Sequence, residues 1–303
     1  MTKQIMQPER LSIVVGIATL ARRDILTKTI DFLAHQTRLP DRLVICPVEP
    51  DDVDSSSLDR FPAPTLMVKG TIGSCAQRNL ILSTAERADI VVFFDDDFFA
   101  DRNYLANLEK IFLANADVVA TTGCLLADGA TGPGLSVEQG QELAGVEHPA
   151  ADNSVLIDCY GTYGCNMAFR METIRQNDIR FDENLPLYGW QEDIDFSLRV
   201  AAHGRIVRTK GMRGVHLGVK LGRTSGVRFG YSQIANPVYL VRKGTMSLKH
   251  AMKLIGRNAA ANLVRSFHPE PWIDRKGRLK GNFLALIDTA AGRVTPNRIL
   301  QLD

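Results

Sequence analysis

The sequence lacks long apolar runs and paired cysteines. No stretch approaches the roughly 20 consecutive apolar residues that a membrane-spanning helix needs, and Met1 to Arg10 contain no hydrophobic signal core. The five cysteines form no Cys-x-x-Cys pair, so we interpret each as a small buried hydrophobic side chain. No internal repeat or low-complexity segment is visible. These absences predict a soluble globular protein of a reducing cytoplasm.

Acidic residues become scarce in the last hundred positions, although the net charge of the whole chain is only +2. Residues 1 to 203 hold 17 Lys and Arg against 30 Asp and Glu, a net charge of −13, whereas residues 204 to 303 hold 19 against 4, a net charge of +15. Such a basic segment indicates a polyanionic partner, which can be nucleic acid, an anionic membrane surface or a diphosphate-bearing substrate. Alternatively, the basic segment packs against the acidic part.

Apolar runs alternate with helical periodicity through the first 122 residues. Buried strands are predicted at 11–19, 42–48, 65–68, 90–95 and 117–122, and helices at about 24–33 and 74–85. This alternation predicts an α/β protein with a mostly parallel central sheet flanked by helices. Residues 128–152, which are rich in Gly, Pro and acids, predict a long irregular segment, and such segments often cover functional sites.

Three adjacent carboxylates, Asp95, Asp96 and Asp97, follow the apolar run 90–94. Ligands of parallel sheets collect at the carboxyl ends of the strands, and three neighbouring negative charges need a counter-cation. Carboxylate oxygens are hard ligands, so Mg²⁺ or Mn²⁺ is the expected ion. A solvated acidic turn is the alternative interpretation.

A second group of polar residues surrounds Trp190, Glu192 and Asp193. Apolar residues at three-to-four spacing after them place both carboxylates in the first turn of a helix, where the helix dipole favours negative charge. The preceding Gly189 permits close chain passage, and the tryptophan offers a flat apolar face on which a sugar ring can stack. An ordinary acidic helix start would show the same carboxylates.

Five motifs occur in an order that resembles family 2 glycosyltransferases of the GT-A fold, across roughly residues 10 to 220. They are 73–79 with its Arg-Asn pair, the Asp-x-Asp of Asp95 and Asp97, the strand 164–170, the Phe-Asp-Glu of 181–183, and the pair Glu192-Asp193. The string around Trp190 is also similar to the acceptor motif of galactosyltransferases with that fold.

The resemblance implies an inverting transfer from a nucleotide-sugar donor, most simply a UDP-sugar, to a glycan or lipid-linked glycan. Asp97 matches the metal-binding carboxylate, and Asp95 matches the one near the ribose. His216 is a candidate further metal ligand or diphosphate contact. Asp193 matches the general base, and Glu192 matches the residue that binds acceptor hydroxyls, beside Trp190. A divalent ion would stabilise the departing diphosphate, and a carboxylate base would take the proton of the acceptor hydroxyl.

Donor contacts are expected from the loops after the first two strands and from the first motif. The matching candidates are Thr19, Arg22, Glu49, Arg78 and Asp96, in addition to Asp95. The second loop departs from the family pattern, because 48–52 reads Val-Glu-Pro-Asp-Asp where an Asp-Asp-Gly-Ser type of string is usual. The identity of the base therefore stays open.

The expected organisation is a catalytic domain at 1–220, with a nucleotide-sugar half at about 10–125 and an acceptor half at about 126–220, followed by a basic helical extension at 221–303. In the extension, one predicted helix carries two stripes. The apolar stripe comprises Leu248, Ala251, Met252, Ile255, Ala259 and Leu263, and the basic one Lys249, Lys253 and Arg257. Such a helix either docks on the catalytic domain or attaches peripherally to the inner face of a membrane. A nucleic-acid role is disfavoured, since no groove-reading motif is present.

Two other classes of protein remain open. A nucleotidyltransferase would also use carboxylate-bound Mg²⁺, but it would need a phosphate-gripping loop near the first strand, and residues 16–19 make a poor one. A non-catalytic sugar-binding module would have no need of both Asp97 and Asp193.

Overall fold

The computed structural model describes residues 10–146, 155–220 and 224–303. Its strands are β1 (Ile13–Thr19), β2 (Arg42–Pro47), β3 (Thr65–Met67), β4 (Ile90–Asp95), β5 (Phe98–Ala100), β6 (Val118–Asp128), β7 (Ile157–Asp158), β8 (Asn166–Arg170) and β9 (Arg205–His216). Its helices are α1 (Arg23–Leu33), α2 (Ser55–Arg60), α3 (Ser74–Thr84), α4 (Tyr104–Ala114), α5 (Val137–Gly145), α6 (Met171–Gln176), α7 (Glu192–Ala201), α8 (Gly226–Lys243), α9 (Leu248–Arg265) and α10 (Arg275–Ala290). Short 3₁₀ turns lie at Pro50–Asp52 and Pro296–Gln301.

The strands form one sheet in the order β3-β2-β1-β4-β8-β6-β9-β5, with β7 added to β9. Pairing is parallel from β3 through β2 and β1 to β4, as predicted, and parallel again between β6 and β9. The other pairs, β4 with β8, β6 with β8, β5 with β9 and β7 with β9, are antiparallel. The first half is thus the parallel sheet that the sequence indicates, and the second half is mixed. The carboxyl ends of β1, β2 and β4 meet at one edge.

The parallel strands are buried on both faces. Val15 and Ile17 belong to the apolar cluster on one face of the sheet, and Val14 belongs to the cluster on the other. Helix α3 approaches β1 so closely that a Cβ on Gly16 would lie 2.3 Å from the Ile81 side chain. The continuous apolar runs therefore mark strands that are covered by helices on both sides.

The prediction of an irregular segment over 128–152 is wrong for most of its described part. Strand β6 continues to Asp128, and α5 fills Val137–Gly145. Ser136 begins the helix with a capping box, in which its hydroxyl accepts from the backbone N–H of Gln139 and the Gln139 side chain accepts from the backbone N–H of Ser136. Residues 147–152 lie outside the described residues.

The last three helices pack on one another, and Leu240 of α8 and Ala251 of α9 join the apolar cluster on one face of the sheet. Lys243 at the end of α8 lies 2.6 Å from the Asp182 carboxylate and 2.8 Å from that of Asp195 on α7. Between the helices, Asn262 donates to Gln233 and to Asn282, and all three side chains are buried. Lys243 therefore shows the alternative raised by the charge distribution, in which basic residues after position 203 pair with acidic residues before it. Within the described ranges, no helix is long and apolar enough to cross a membrane.

Candidate active site

Two carboxylates and one imidazole converge just after β4. Asp95, Asp97 and His216 each present one ligand atom, and the three atoms lie within 4.8 Å of one another. Asp97 follows the end of β4, whereas His216 is the last residue of β9, so the group forms only when distant strands enter the same sheet. Nε2 of His216 lies 3.3 Å from Oδ1 of Asp97 and 3.9 Å from Oδ2 of Asp95.

The buried Asp97 carboxylate has one satisfied oxygen and one unsatisfied oxygen. Oδ2 accepts a hydrogen bond of 2.7 Å from the backbone N–H of Val219. Oδ1 is buried and receives no hydrogen bond of good geometry from the described residues, although Asp97 is only 1% exposed. A buried carboxylate oxygen without a partner is costly, and a cation bound here would remove that cost. The donor set of two carboxylates and an imidazole fits Mn²⁺ or Mg²⁺, with the imidazole favouring Mn²⁺.

The electrostatics of His216 fit the same interpretation. Burial lowers the pKa of the imidazole, but its hydrogen bond to Asp128 and the negative charge of the adjacent Asp97 outweigh burial and raise that pKa to about 10. Burial also opposes ionisation of Asp97, yet His216 and Arg22 hold its pKa below the ordinary range. The carboxylates thus create a site that favours a positive charge, and a metal ion would replace the imidazole proton because a ligating imidazole is neutral.

Asp128 completes the group, and the sequence reasoning missed it. Its Oδ1 lies 3.0 Å from Nδ1 of His216, and its Oδ2 accepts a hydrogen bond of 3.1 Å from the hydroxyl of Tyr163. Asp128 ends β6, just as Asp95 ends β4. An acid at the end of a strand was therefore the available signal, but residues 123–128 were not recognised as strand.

Asp96 belongs to a separate buried cluster. Its carboxylate accepts hydrogen bonds from the Thr19 hydroxyl at 2.8 Å and from Arg22 at 2.9 Å, and Asp96 is 4% exposed. The Thr29 hydroxyl donates to its backbone carbonyl. Asp96 and the Thr19 hydroxyl thus bond to each other, and the donor contacts predicted for both stay predictions. Arg22 also donates to the carbonyl of Val219, so it joins the first loop to the chain after β9.

Arg78 forms a buried bridge between the two motif carboxylates. Its guanidinium is in close ion-pair contact with Glu192 and lies 3.2 Å from Oδ1 of Asp95. It also donates to the carbonyl of Gly164 at 3.3 Å, and the residue is 6% exposed. The donors of Arg78 thus serve Glu192, Asp95 and Gly164, and Glu192 is buried and paired with Arg78. The predicted contact of Arg78 with the base or phosphate of a donor, and that of Glu192 with an acceptor, stay predictions.

Asp193 lies beside this bridge at the start of α7. Its Oδ2 accepts from the backbone N–H of Gly164 at 3.0 Å, and its Oδ1 accepts from that of Ile194 at 2.8 Å. The residue is partly exposed, unlike Glu192. Burial raises the pKa of Asp193, while these backbone hydrogen bonds and Arg78 lower it. Two backbone donors fix the orientation of the carboxylate and leave further lone pairs available.

The loop before α7 is strained and held from two sides. Leu187, Gly189 and Gln191 all have positive φ angles, and only one of the three is glycine. Such conformations cost about 1–2 kcal/mol each for non-glycine residues, so the surrounding contacts must enforce them. The backbone N–H of Ser74 donates to the carbonyl of Leu187, and its hydroxyl donates to the carbonyl of Tyr188. From the other side, the Asn236 side chain donates to the backbone carbonyl of Trp190.

The Trp190 ring lies among aromatic side chains of the loop and of α8. Its centroid is 6.0 Å from that of Phe229, which is 5.9 Å from that of Tyr188. Arg278 of α10 stacks on Phe229, with its guanidinium carbon 4.4 Å from the ring centroid. Residues of the C-terminal extension thus help to build the loop that the sequence assigns to acceptor binding.

Glu49 stands apart from these clusters. Its side chain is 62% exposed and pairs with Lys69 at 2.8 Å. The neighbouring Asp52 is buried and joins the two loops, since it accepts from the backbone N–H groups of Ala21 and Glu49. The unusual second loop therefore contains a structural carboxylate, Asp52, that the sequence reasoning did not single out.

No protein-family model matches the chain, and no curated protein matches its sequence. Solved structures do match. S. aureus TarS 1–349 in complex with UDP-GlcNAc is 15% identical over 96% of this chain and 84% of that one, with a TM-score of 0.58. The mannosyltransferase PcManGT from Pyrobaculum calidifontis, in complex with GDP-Man and Mn²⁺, is 16% identical over 96% and 85%, with a TM-score of 0.56.

GalNAc-T7 with UDP, GalNAc and Mn²⁺ is 12% identical, with a TM-score of 0.55, over 86% of this chain. The chain spans 58% of that protein and 44% of a longer TarS structure. At these identities the likeness establishes the fold alone. The protein has the GT-A fold of these glycosyltransferases, which confirms the predicted fold class.

Proposed function

We propose that the protein is an inverting glycosyltransferase of the family 2 type. It would move a sugar from a nucleotide-diphosphate donor, a UDP-sugar in the first instance, to a hydroxyl of a glycan or lipid-linked glycan. The observation that carries this proposal is the unsatisfied buried oxygen of Asp97, which faces His216 in a cluster at the carboxyl edge of the sheet. The fold supports it, since the matching structures hold UDP-GlcNAc, or GDP-Man or UDP with Mn²⁺.

The cluster supplies the residues that a divalent ion requires. Asp95, Asp97 and His216 would hold Mn²⁺ or Mg²⁺, with Asp128 orienting the imidazole. When bound, the ion would stabilise the negative charge that develops on the departing diphosphate. Arg22 lies 2.9 Å from Asp96 and 3.8 Å from Asp97, so it offsets part of the carboxylate charge near this edge.

Asp193 is the proposed general base. The acceptor oxygen would form its bond to the anomeric carbon while the bond from that carbon to the diphosphate oxygen breaks, and the acceptor proton would pass to Asp193. This single displacement inverts the anomeric centre and needs no covalent intermediate. Gly164 and Ile194 hold the carboxylate in one orientation, and its neighbour Glu192 is joined to Asp95 through Arg78.

The acceptor side would be formed by the strained loop around Trp190. The backbone strain at 187, 189 and 191 is an observed outlier, and such outliers cluster where binding sites demand a particular geometry. We retain residues 1–220 as the catalytic domain, with halves at 10–125 and 126–220, and 221–303 as the extension. Phe229 and Asn236 of that extension contact the loop, so we assign them to the acceptor side as well.

Thermal denaturation with a panel of nucleotide sugars, with and without Mn²⁺, tests the proposal. A ligand that binds only the folded state raises the melting temperature, and at about 100 times its Kd it adds about 2.7 kcal/mol of stability. We expect one donor, with UDP-sugars the first candidates, to stabilise the wild type only when Mn²⁺ or Mg²⁺ is present. Asp97→Asn should abolish that metal-dependent increment, whereas Asp158→Asn, at an exposed site on β7, should keep it.

The same panel separates the alternatives. Release of the nucleoside diphosphate from the stabilising donor, detected by chromatography, supports transfer chemistry. Release of pyrophosphate from a nucleoside triphosphate would instead identify a nucleotidyltransferase, and sugar binding without nucleotide would identify a binding module. Metal-dependent donor binding that is unchanged in Asp97→Asn would contradict the assigned site.

A further inference from the structure

Exposed apolar side chains are concentrated in the last two helices and the turns that follow them. Of the nineteen large apolar residues that are exposed among the described ones, ten lie after residue 247. Phe267 is 75% exposed and Phe283 is 64% exposed. Apolar residues scattered singly on a surface need no explanation, but a concentration of this kind marks an interaction site.

Helix α10 has one inward and one outward face. Its buried residues are Gly281, Asn282, Ala285 and Asp288, together with Arg275. The outward face carries Lys276, Lys280, Phe283 and Ile287, which follow one another at spacings of four, three and four residues. The exposed surface of α10 is therefore basic toward its beginning and apolar toward its end.

Helix α9 differs from the amphipathic helix that the sequence predicts. Ala251 of the predicted apolar stripe is buried, together with Leu254, whereas Leu248 and Met252 of the same stripe are 64% and 61% exposed. The stripe is therefore divided between the protein interior and the surface. The exposed apolar and basic residues of α9 and of the turn after it include Leu248, Lys249, Met252, Lys253, Arg257, Leu263, Val264, Arg265 and Phe267.

The outward faces of these two helices carry no exposed carboxylate. Residues 248–265 contain no Asp or Glu, and the one acid of α10, Asp288, is 7% exposed and bonded to Tyr231 and Arg293. Glu270, between the helices, is held by Arg265 and Arg275. Along both helices, exposed cations and apolar side chains thus occur without an exposed carboxylate, and the exposed Asp274 directly precedes α10 as its N-cap.

We propose that the outward faces of α9 and α10, here called the helical surface, dock on an anionic lipid bilayer. Apolar side chains enter the boundary between headgroups and acyl chains, while Lys and Arg attract anionic headgroups. A second copy of the chain would bring like charges together, which opposes self-association through this surface. Nucleic acid would use the cations but would leave Phe267 and Phe283 in water.

Helix α10 contacts the neighbourhood of the proposed acceptor loop through its inward side. Arg278, which shares the helix face of the buried Gly281, Asn282 and Ala285, stacks on Phe229, whose ring adjoins Trp190. The docking itself depends only on the surface and stands independently of the reaction.

Sedimentation of the full chain with vesicles tests the proposal. Vesicles of phosphatidylcholine with phosphatidylglycerol should bring the protein down, whereas pure phosphatidylcholine should bind it at least about tenfold more weakly. Raising the salt from about 0.1 M to about 1 M shortens the screening length from about 10 Å to about 3 Å and should weaken binding. Lys276→Gln with Lys280→Gln should lower the partition coefficient about tenfold. Phe267→Ser with Phe283→Ser should do the same.

Arg87→Gln with Lys110→Gln is the matched control, because it removes two exposed charges from the catalytic part and should leave binding unchanged. Equal loss in both charge variants, or no sedimentation of the wild type with anionic vesicles, would overturn the proposal. Two further results would overturn it. One is a dimer, detected by light scattering, that Phe267→Ser with Phe283→Ser disrupts, and the other is RNA binding that persists in that variant. The proposed function is tested separately, by measuring whether the donor and the metal ion still raise the melting temperature of the surface variants.

Discussion

His216 and Asp128 are paired residues on the adjacent parallel strands β9 and β6, and their side chains meet at 3.0 Å. The Nδ1 atom of the imidazole contacts Asp128, while Nε2 faces Asp97 and Asp95. The strand register thus sets the direction in which the proposed metal ligand points. Such outer partners of a ligating histidine fix its tautomer and its ring orientation.

Removing the Asp128 carboxylate should therefore weaken metal binding. Asp128→Ala is expected to raise the Kd for Mn²⁺ about 10- to 100-fold, and Asp128→Asn, which still accepts from Nδ1, should lose less. Calorimetric titration of the donor-free protein with Mn²⁺ measures this effect. Asp158→Ala is the control, because Asp158 is an exposed acid on β7 that pairs with Val207 near the start of β9. Equal Kd values in all variants would refute the positioning role.

Asp193→Asn should separate donor binding from turnover. The amide has the same shape and keeps one of the two backbone hydrogen bonds, from Gly164 or from Ile194, but it cannot take a proton. We expect the donor affinity to stay within a few-fold and kcat to fall by at least about 10²-fold, as for a lost general base. Donor stabilisation and single-turnover transfer measure the two quantities, and near-normal turnover would exclude Asp193 as the base.

The Arg78 bridge predicts non-additive stabilities. Arg78→Met should destabilise the metal-free protein by about 3–5 kcal/mol, because it leaves the buried Glu192 carboxylate without a partner. Glu192→Gln added to that variant should restore part of the loss, since the uncompensated buried charge is removed. Urea denaturation of the wild type, both single variants and the double variant gives the four free energies of unfolding that the comparison needs. A double variant as unstable as the sum of the single ones would mean that the pair does not interact.

Asp182 should make the docking of α8 sensitive to acid. Burial opposes ionisation, but hydrogen bonds from Lys243 and Tyr239 lower the pKa of Asp182 to about 2. Its ordinary value is about 3.9, so the ionised carboxylate contributes fully above about pH 4 and the contribution disappears as the pH falls toward 2. The difference corresponds to about 2 kcal/mol.

Asp182→Asn should accordingly lower the free energy of unfolding at neutral pH and show a shallower loss of stability between about pH 4 and pH 2. Denaturation curves at a series of pH values measure both effects. Asp178→Asn alters an acid whose side chain is 89% exposed and should keep the wild-type slope. Parallel curves for Asp182→Asn and the wild type would contradict the linkage.

Much of the sheet was predictable from local patterns. Buried runs ending in Asp95 and in Thr19 mark strands that helices cover on both faces, and their carboxyl ends had to meet at one edge. The prediction therefore placed Asp97 at the correct edge, and it anticipated His216 near it through the resemblance. The roles of these residues in catalysis stay predictions.

Other features depended on partners far along the chain. The sequence predicts donor contacts for Arg78, Thr19 and Asp96, but it does not show which protein groups they bond. In the folded chain Thr19 and Asp96 hydrogen-bond to each other, and Arg78 pairs with Asp95 and Glu192. Asp128 was overlooked because strand β6 continues beyond its predicted end at residue 122, through 123–128, where it pairs with β9.

The sequence by itself determined the alternation of strands and helices, the carboxylates at the end of β4 and the separation of charge along the chain, because these depend on periodicity and composition. The tertiary structure decided which polar groups are already satisfied and which side of α9 is exposed. The physical reason is that hydrogen bonding and burial are settled by contacts between segments tens to hundreds of residues apart. One such contact, Val219 with Asp97, leaves a single carboxylate oxygen of Asp97 without a hydrogen bond.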